Sequence, residues 1–231
     1  MSISNWVSGN AFRKDLGSTN APAFPHEYLV KTLSSSSNSG LLPLGKSSKI
    51  LEIGSFGANN LRYFWEKGYT NVYGIEVTSS LVEMGQCCAS AFFGNQFPSS
   101  NICIGHNLSI PFPDNFFDLI VSINTLHYSV GEDVNRALAL WKSKLNTNGR
   151  LFVETAGPKH DYVLDSVRMS KNTWRWGPKA GFRAGSSAGF FDSPSHLKEV
   201  LESHFSFVSM GRITEESRGN TVDFLTGYCS V

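Results

Sequence analysis

The chain has 231 residues, 41% of them hydrophobic, enough to bury one sizeable core and no more than one domain. Twenty Lys and Arg against nineteen Asp and Glu give a formal net charge of +1, which leaves no overall electrostatic footprint for nucleic acid or a membrane surface. No apolar run approaches the length that spans a bilayer, and Met1-Ser2-Ile3-Ser4-Asn5-Trp6 lacks the basic and apolar regions of a secretory signal.

Residues 1–47 read as an N-terminal cap and linker, with one helix over 25–33. The run Ser34-Ser35-Ser36-Ser37-Asn38-Ser39-Gly40 reads as a flexible joint, because it has almost nothing to bury. From Ser48 onward, strand and helix patterns alternate. Strands are expected over 50–53, 72–76, Ile102–Ile104, Phe117–Ile123 and 151–154. The fourth is a continuous apolar run of the kind buried on both faces of a parallel sheet. Helices are expected over 59–67, Ser79–Phe93 and 133–145, the last stopped by Asn146-Thr147-Asn148-Gly149.

The last third differs. A helix over 194–204 precedes two alternating segments, 205–213 and 222–231, with a polar hairpin loop at 214–220. Five parallel strands closed by an antiparallel hairpin make an α/β architecture in one domain. Its expected parts are the cap, a nucleotide-binding core at 48–156, an insertion at 157–193, and a terminal helix and hairpin at 194–231.

The four cysteines point to a reducing compartment, and a cytoplasmic location is expected. Cys87 and Cys88 are adjacent, while Cys103 and Cys229 stand singly at apolar positions. Buried, unpaired thiols are expected, and no cysteine or histidine spacing suggests a metal site.

Lys49-Ile50-Leu51-Glu52-Ile53-Gly54-Ser55-Phe56-Gly57-Ala58-Asn59-Asn60 reads as a strand ending in an acid, a glycine turn and the start of a helix. The next strand ends in Glu76, 22 positions beyond Gly54. In doubly wound sheets, such a unit places a nucleotide at the turn and a ribose diol at the second acid. A nicotinamide dinucleotide needs a central glycine where Phe56 stands, and its domains end in a sixth parallel strand. Both points count against that ligand.

With these segments in order, the chain resembles the class I S-adenosylmethionine-dependent methyltransferases, and most of all the small-molecule branch with quinone-biosynthesis and tellurite-resistance enzymes. Leu51-Glu52-Ile53-Gly54 matches the first motif of that family. Gly105-His106-Asn107-Leu108-Ser109-Ile110-Pro111-Phe112-Pro113-Asp114 matches the segment that passes the adenine. Ser122-Ile123-Asn124-Thr125-Leu126-His127-Tyr128 matches the end of strand four, and Leu145-Asn146-Thr147-Asn148-Gly149-Arg150-Leu151 the turn into strand five.

The resemblance implies a Rossmann-like seven-stranded methyltransferase sheet with helices on both faces. It also implies S-adenosyl-L-methionine held by Glu52, Gly54, Ser55, Phe56, Gly57, Glu76, Val77, His106, Asn107, Leu108 and Asn124. Glu52 would reach the methionine amino group, usually through water, and Glu76 the ribose. Relatives keep glycine at the positions of Phe56 and Ala58, and an acid at that of His106. These departures motivate the alternative of a catalytically weak methyltransferase-like binding or regulatory module.

The expected activity is methyl transfer to an oxygen or nitrogen of a small-molecule acceptor. Only an acceptor that loses a proton needs a base, and His127, beside Asn124 after strand four, is the first candidate. The competing reading is a histidine that orients its loop. His160 is the reserve base and Tyr128 a pocket wall. In the insertion, Trp174, Arg175 and Arg183 interleave aromatic and cationic groups suited to an anionic or planar acceptor, under a glycine-rich lid. The competing reading is a loop whose tryptophans pack on the core. His26, His196 and His204 read as ordinary helix or surface histidines.

Overall fold

The computed structural model describes residues 24–34, 44–93, 96–217 and 219–231. The apolar runs become strands β1 (Lys49–Ile53), β2 (Asn71–Glu76), β3 (Ile102–Ile104), β4 (Phe117–Ile123) and β5 (Leu145–Ala156). Between them lie α2 (Asn59–Glu66), α3 (Ser79–Phe93) and α4 (Asp133–Lys144), with α1 (Glu27–Ser34) ahead of β1. After β5 come α5 (Asp161–Leu164), the short strands β6 (Val167–Ser170), β7 (Thr173–Arg175) and β8 (Ser187–Ala188), then α6 (Pro194–Glu202), β9 (Phe207–Ser217) and β10 (Asn220–Ser230).

Seven strands pair in the order β3-β2-β1-β4-β5-β10-β9. β1 to β5 are mutually parallel, and β10 pairs antiparallel with both β5 and β9. This is the expected seven-stranded sheet closed by a C-terminal hairpin. The chain leaves β1 toward β2 on one side and returns to β4 on the other, so the strand order reverses beside β1. The carboxyl ends of strands at such a reversal open a crevice where α/β sheets bind ligands.

Both faces are covered. Ile120, Leu151 and Val153 pack with Val134, Leu138 and Trp141 of α4 and with Leu197 and Leu201 of α6. On the other face Ile50, Val72, Val121 and Phe152 pack with Leu29 of α1, Leu61 and Phe64 of α2 and Val82 of α3. A parallel strand covered on both sides has no solvent face, which is why five of the seven residues of β4 are apolar, with Leu119, Ile120 and Val121 consecutive.

Several boundaries differ from expectation. α1 starts and ends later than 25–33, and beyond Ser34 the expected flexible joint lies outside the described residues. Asn146 to Gly149 do not separate α4 from β5. The helix ends at Lys144 and the strand begins at once, with Phe117 paired to Leu145 and the register then shifting to Leu119 with Arg150. The polar turn residues are taken up as a bulge, fastened where Asn146 donates to the Asp118 carboxylate.

The expected loop at 214–220 is strand: Thr214 pairs with Asp223 and Ser217 with Asn220, leaving a two-residue connection with Gly219 at φ 77°. Polar residues suit an edge strand, and Thr214 and Arg212 both bond the buried Asp223 carboxylate. Cys87 is exposed rather than buried, whereas Cys229 is buried as expected.

The insertion is not a loose lid. β6, β7 and β8 form a small antiparallel sheet, and Trp174, Trp176 and Phe190 pack with Ala156, Ala180 and Ala188 into a third cluster. At Gly189 a side chain would overlap the Ser129 carbonyl, so this glycine serves close packing rather than mobility.

Candidate active site

The turn after β1 is built from unusual backbone. Gly54 has φ 76°, and a side chain there would overlap Thr125 of the loop after β4. Phe56 and Ala58 have φ 39° and 57°, left-handed values that glycine adopts without cost and other residues rarely visit. The glycine-like path therefore survives where glycine has been replaced. The Ser55 side chain is turned against Gly74 of β2, and its hydroxyl is buried without a hydrogen-bond partner.

Two acids flank this turn. Glu52 is 2% exposed; Asn60 Nδ2 donates to its Oε1 at 2.6 Å, while Oε2 is buried and has no hydrogen-bond partner among the described residues. Burial pushes its carboxyl up to about 8, against the Asn60 bond, and nearby Glu76 adds to the rise. Glu76, at the end of β2, accepts from the backbone N–H groups of Phe56 at 2.7 Å and Val77 at 3.2 Å. Burial pushes it to about 7 in spite of those two bonds.

These acids fit the expected cofactor. An unpartnered, buried carboxylate oxygen is matched by an ammonium group, and a carboxylate at the strand end by a ribose diol.

The segment after β3 is held by its own side chains. Asn107 Nδ2 donates to the Thr125 carbonyl at 2.8 Å and to Ser129 Oγ at 2.9 Å, and the Asn107 backbone carbonyl accepts from Trp141 Nε1 at 3.0 Å. Asn107 thus ties the segment after β3 to the loop after β4. His106 is half-buried, and its Nδ1 accepts from the Leu108 N–H at 3.2 Å. Asn124 has φ 54°, donates its N–H to the Glu154 carbonyl at 2.9 Å and leaves Oδ1 buried without a partner.

Beyond this half, the structure brings His127, Tyr128, Trp176, Arg183 and Phe190 together. The His127 ring lies 4.3 Å from Tyr128, 5.5 Å from Trp176 and 6.2 Å from Phe190. Arg183 Nε donates to the Tyr128 hydroxyl at 2.9 Å. His127 is 5% exposed, and burial first, then Arg183 and His160, pushes its pKa down to about 3. It is a neutral imidazole at physiological pH, with Nδ1 unpartnered. His160 caps α5, its Nδ1 accepting from the Tyr162 N–H at 3.2 Å, and burial lowers its pKa.

Not every expected residue joins this group. Trp174 packs against Phe190 at 5.8 Å with Arg168 over its other face, and Arg175 is exposed on the opposite side of β7. Trp176 takes the place beside His127. Strand alternation puts Trp174 and Trp176 on one face, but only the packing tells which of them meets the site.

Asn60, His26 and Glu154 were not anticipated. Asn60 carried a signal, being eight positions past Glu52 in the first turn of α2. His26 is no ordinary surface histidine: its backbone N–H bonds Asn60 Oδ1 at 2.7 Å, and its ring approaches Glu154.

The comparisons with known proteins agree with this geometry. A family model described as "Methyltransferase domain" matches residues 51–153, from the first motif to the end of β5. A curated relative, an uncharacterized protein of Haemophilus influenzae, is 26% identical over 136 residues, 57% of this chain and 51% of its own length. The chain thus matches about half the length of that relative.

Among solved structures, a Thermotoga maritima S-adenosylmethionine-dependent methyltransferase, described as a possible histamine N-methyltransferase, superposes with TM-score 0.59 at 16% identity, over 99% of this chain and 97% of that one. A Methanosarcina mazei S-adenosylmethionine-dependent methyltransferase gives TM-score 0.64 at 17% identity, over 85% and 97%. At such identities the likeness is one of fold. The family match covers the turn after β1, Glu76 and the end of β4: residues 51–153, somewhat under half of the chain, are similar to the methyltransferase domain family, and the chain shares the fold of S-adenosylmethionine-dependent methyltransferases.

Proposed function

We propose that the chain transfers the methyl group of S-adenosylmethionine to an oxygen or nitrogen of a small-molecule acceptor. The observation that carries this reading is the pair of buried acids at the reversal in strand order. Glu52 has an unpartnered oxygen beside the Gly54 turn, and Glu76 holds that turn through the Phe56 N–H. Glu52, Gly54, Phe56, Gly57, Glu76 and Val77 would hold the methionine and ribose parts. His106, Asn107, Leu108 and Asn124 would border the adenine and the sulfur end. Ser55 supports the turn from beneath.

The bound sulfonium supplies a methyl group that is already activated, so the protein must align the nucleophile and exclude water. Trp176 and Phe190, packed on His127, serve exclusion. Tyr128 and Arg183, joined by their hydrogen bond, offer a planar and cationic wall to the acceptor, and His160 closes the β5 side. The enclosure by buried rings and the even net charge favour a small molecule over nucleic acid. His127, with its pKa near 3, orients the acceptor by hydrogen bonding, and its weak basicity sends the acceptor's proton elsewhere.

The left-handed backbone at Phe56 and Ala58 supports retained cofactor binding over a weak binding or regulatory module. Calorimetry with S-adenosylmethionine and S-adenosylhomocysteine tests the proposal, with micromolar affinity expected. If neither ligand binds at millimolar concentration, the catalytic reading is lost.

A further inference from the structure

Glu154 lies near the carboxyl end of β5 with its side chain fully buried, and neither carboxylate oxygen has a hydrogen-bond partner among the described residues. A carboxyl group removed from water needs a partner or a task. Facing it is His26, just ahead of α1, whose Nε2 lies 3.1 Å from Glu154 Oε1, at ion-pair range. The other ring nitrogen, Nδ1, is buried and has no hydrogen-bond partner among the described residues.

This imidazole is fixed relative to both halves of the site. On the cofactor side, the His26 N–H bonds Asn60 Oδ1, and the same Asn60 donates to Glu52. On the acceptor side, the His26 ring packs edge-on to Phe224 at 6.5 Å, and His160 packs on that phenyl ring at 5.4 Å. The Glu154 carbonyl accepts from the Asn124 N–H, which ties it to the loop carrying His127. The ionisable groups around the His26 ring are Glu154 on β5, Glu27 on α1 and His160 across Phe224.

A histidine with one ring nitrogen on a buried carboxylate and the other unpartnered has the arrangement of a general base. At ion-pair range, although without a formed hydrogen bond, the carboxylate favours the tautomer with its proton on Nε2 and stabilises the imidazolium that forms. We propose that His26 and Glu154 are the proton-accepting pair for the methyl acceptor. The proposal rests on the methyl-transfer reading above. The acceptor oxygen or nitrogen forms its bond to the methyl carbon as the carbon–sulfur bond breaks, leaving that electron pair on sulfur. The acceptor's proton passes to His26 Nδ1 and then to solvent, so charge and atoms balance.

Long-range proton–nitrogen NMR of the full-length chain with ¹⁵N-labelled histidine tests the pair without an acceptor. His26 should show the Nε2–H tautomer with unprotonated Nδ1, and its Nε2–H proton should move upfield in Glu154→Gln. A His26 in the Nδ1–H form, or one that does not respond to Glu154→Gln, overturns the proposal.

A second arm compares wild type, His26→Gln and Glu154→Gln by S-adenosylhomocysteine calorimetry and by transfer of labelled methyl into a metabolite extract. Cofactor affinity should be unchanged and transfer should fall by roughly 100-fold in His26→Gln, with loss of the acidic limb of the pH profile. Wild-type transfer by His26→Gln overturns the proposal. Failure of the wild type to bind S-adenosylhomocysteine overturns the methyl-transfer reading instead. If the extract holds no acceptor, the NMR result decides.

Discussion

The Phe56 backbone N–H donates to the Glu76 carboxylate across 2.7 Å, joining the turn after β1 to the end of β2. The bond fixes a left-handed turn that lacks two of the glycines usual for it, and it does so with the acid expected to meet the ribose. Backbone strain at Phe56 and the position of the Glu76 carboxylate are therefore coupled through one hydrogen bond.

The strain should be measurable at Ala58. Its φ of 57° suits glycine, and its side chain is fully buried. Ala58→Gly should leave stability within about 1 kcal/mol of wild type, because relief of the left-handed backbone offsets a lost methyl contact and a looser unfolded chain. Ala58→Val should cost at least about 2 kcal/mol, since a β-branched residue is poorly tolerated there. Urea unfolding of both variants checks this, and equal stability of the two would remove backbone strain as the explanation.

The two acids predict a pH dependence. Glu52 and Glu76 titrate near 4.5 when unfolded and at about 8 and about 7 when folded. The folded state then holds more protons between these limits, so their contribution is complete below pH 4.5 and is lost as pH rises through 7 and 8. The ligand-free chain should unfold at lower urea concentration at pH 8.5 than at pH 6.5. Glu52→Gln should flatten that slope; an unaltered slope would place the effect elsewhere.

Ligand binding should act in the opposite sense. An ammonium group beside Glu52 favours its ionised form, so binding at pH 7 should expel a proton, and affinity should rise as pH increases toward 8. Calorimetry of S-adenosylhomocysteine in two buffers of different ionisation enthalpy counts the protons. Zero or net uptake would mean that Glu52 stays protonated in the complex.

His127 should show no proton uptake across the physiological range. Its pKa is near 3 when folded and 6.5 when unfolded, so it costs stability as pH falls from 6.5 toward 3, most steeply midway between them. Histidine NMR from pH 8 down to pH 5 should leave its ring signals in place. Movement centred near pH 6.5 would restore it as a base.

Asp223 carries the hairpin and the start of the cap. Its buried carboxylate takes two bonds from Arg212, one from Thr214 and one from the Lys159 N–H. Asp223→Ala should cost about 3 kcal/mol, because it strands the partly buried Arg212 and frees the loop that presents His160. Thermal unfolding measures the loss, and a change below about 1 kcal/mol would show the cluster to be dispensable.

Much of the architecture was legible in the sequence because its signals are local. Apolar runs follow from strands covered on both faces, and an acid before Gly54 with another at Glu76 marks the cofactor half. The misread boundaries were places where tertiary pairing used polar residues as strand. Asn146 fastens a bulge through Asp118, and Thr214 serves as an edge-strand partner of Asp223.

The acceptor half could not be read in that way. His127 looks like a base until burial among Tyr128, Trp176 and Phe190 removes its basicity. Trp174 and Trp176 are equivalent in strand pattern, and only packing puts Trp176 beside the site. His26 and Glu154 are far apart in the chain and meet because β5 lies between β4 and β10, on the face that α1 covers. By itself the sequence determined the sheet and the cofactor turn, through hydrogen-bonding and burial demands that each segment meets alone. The charge state of His127 and the partners of His26 and Glu154 depended on long-range neighbours, and only the tertiary structure decided them.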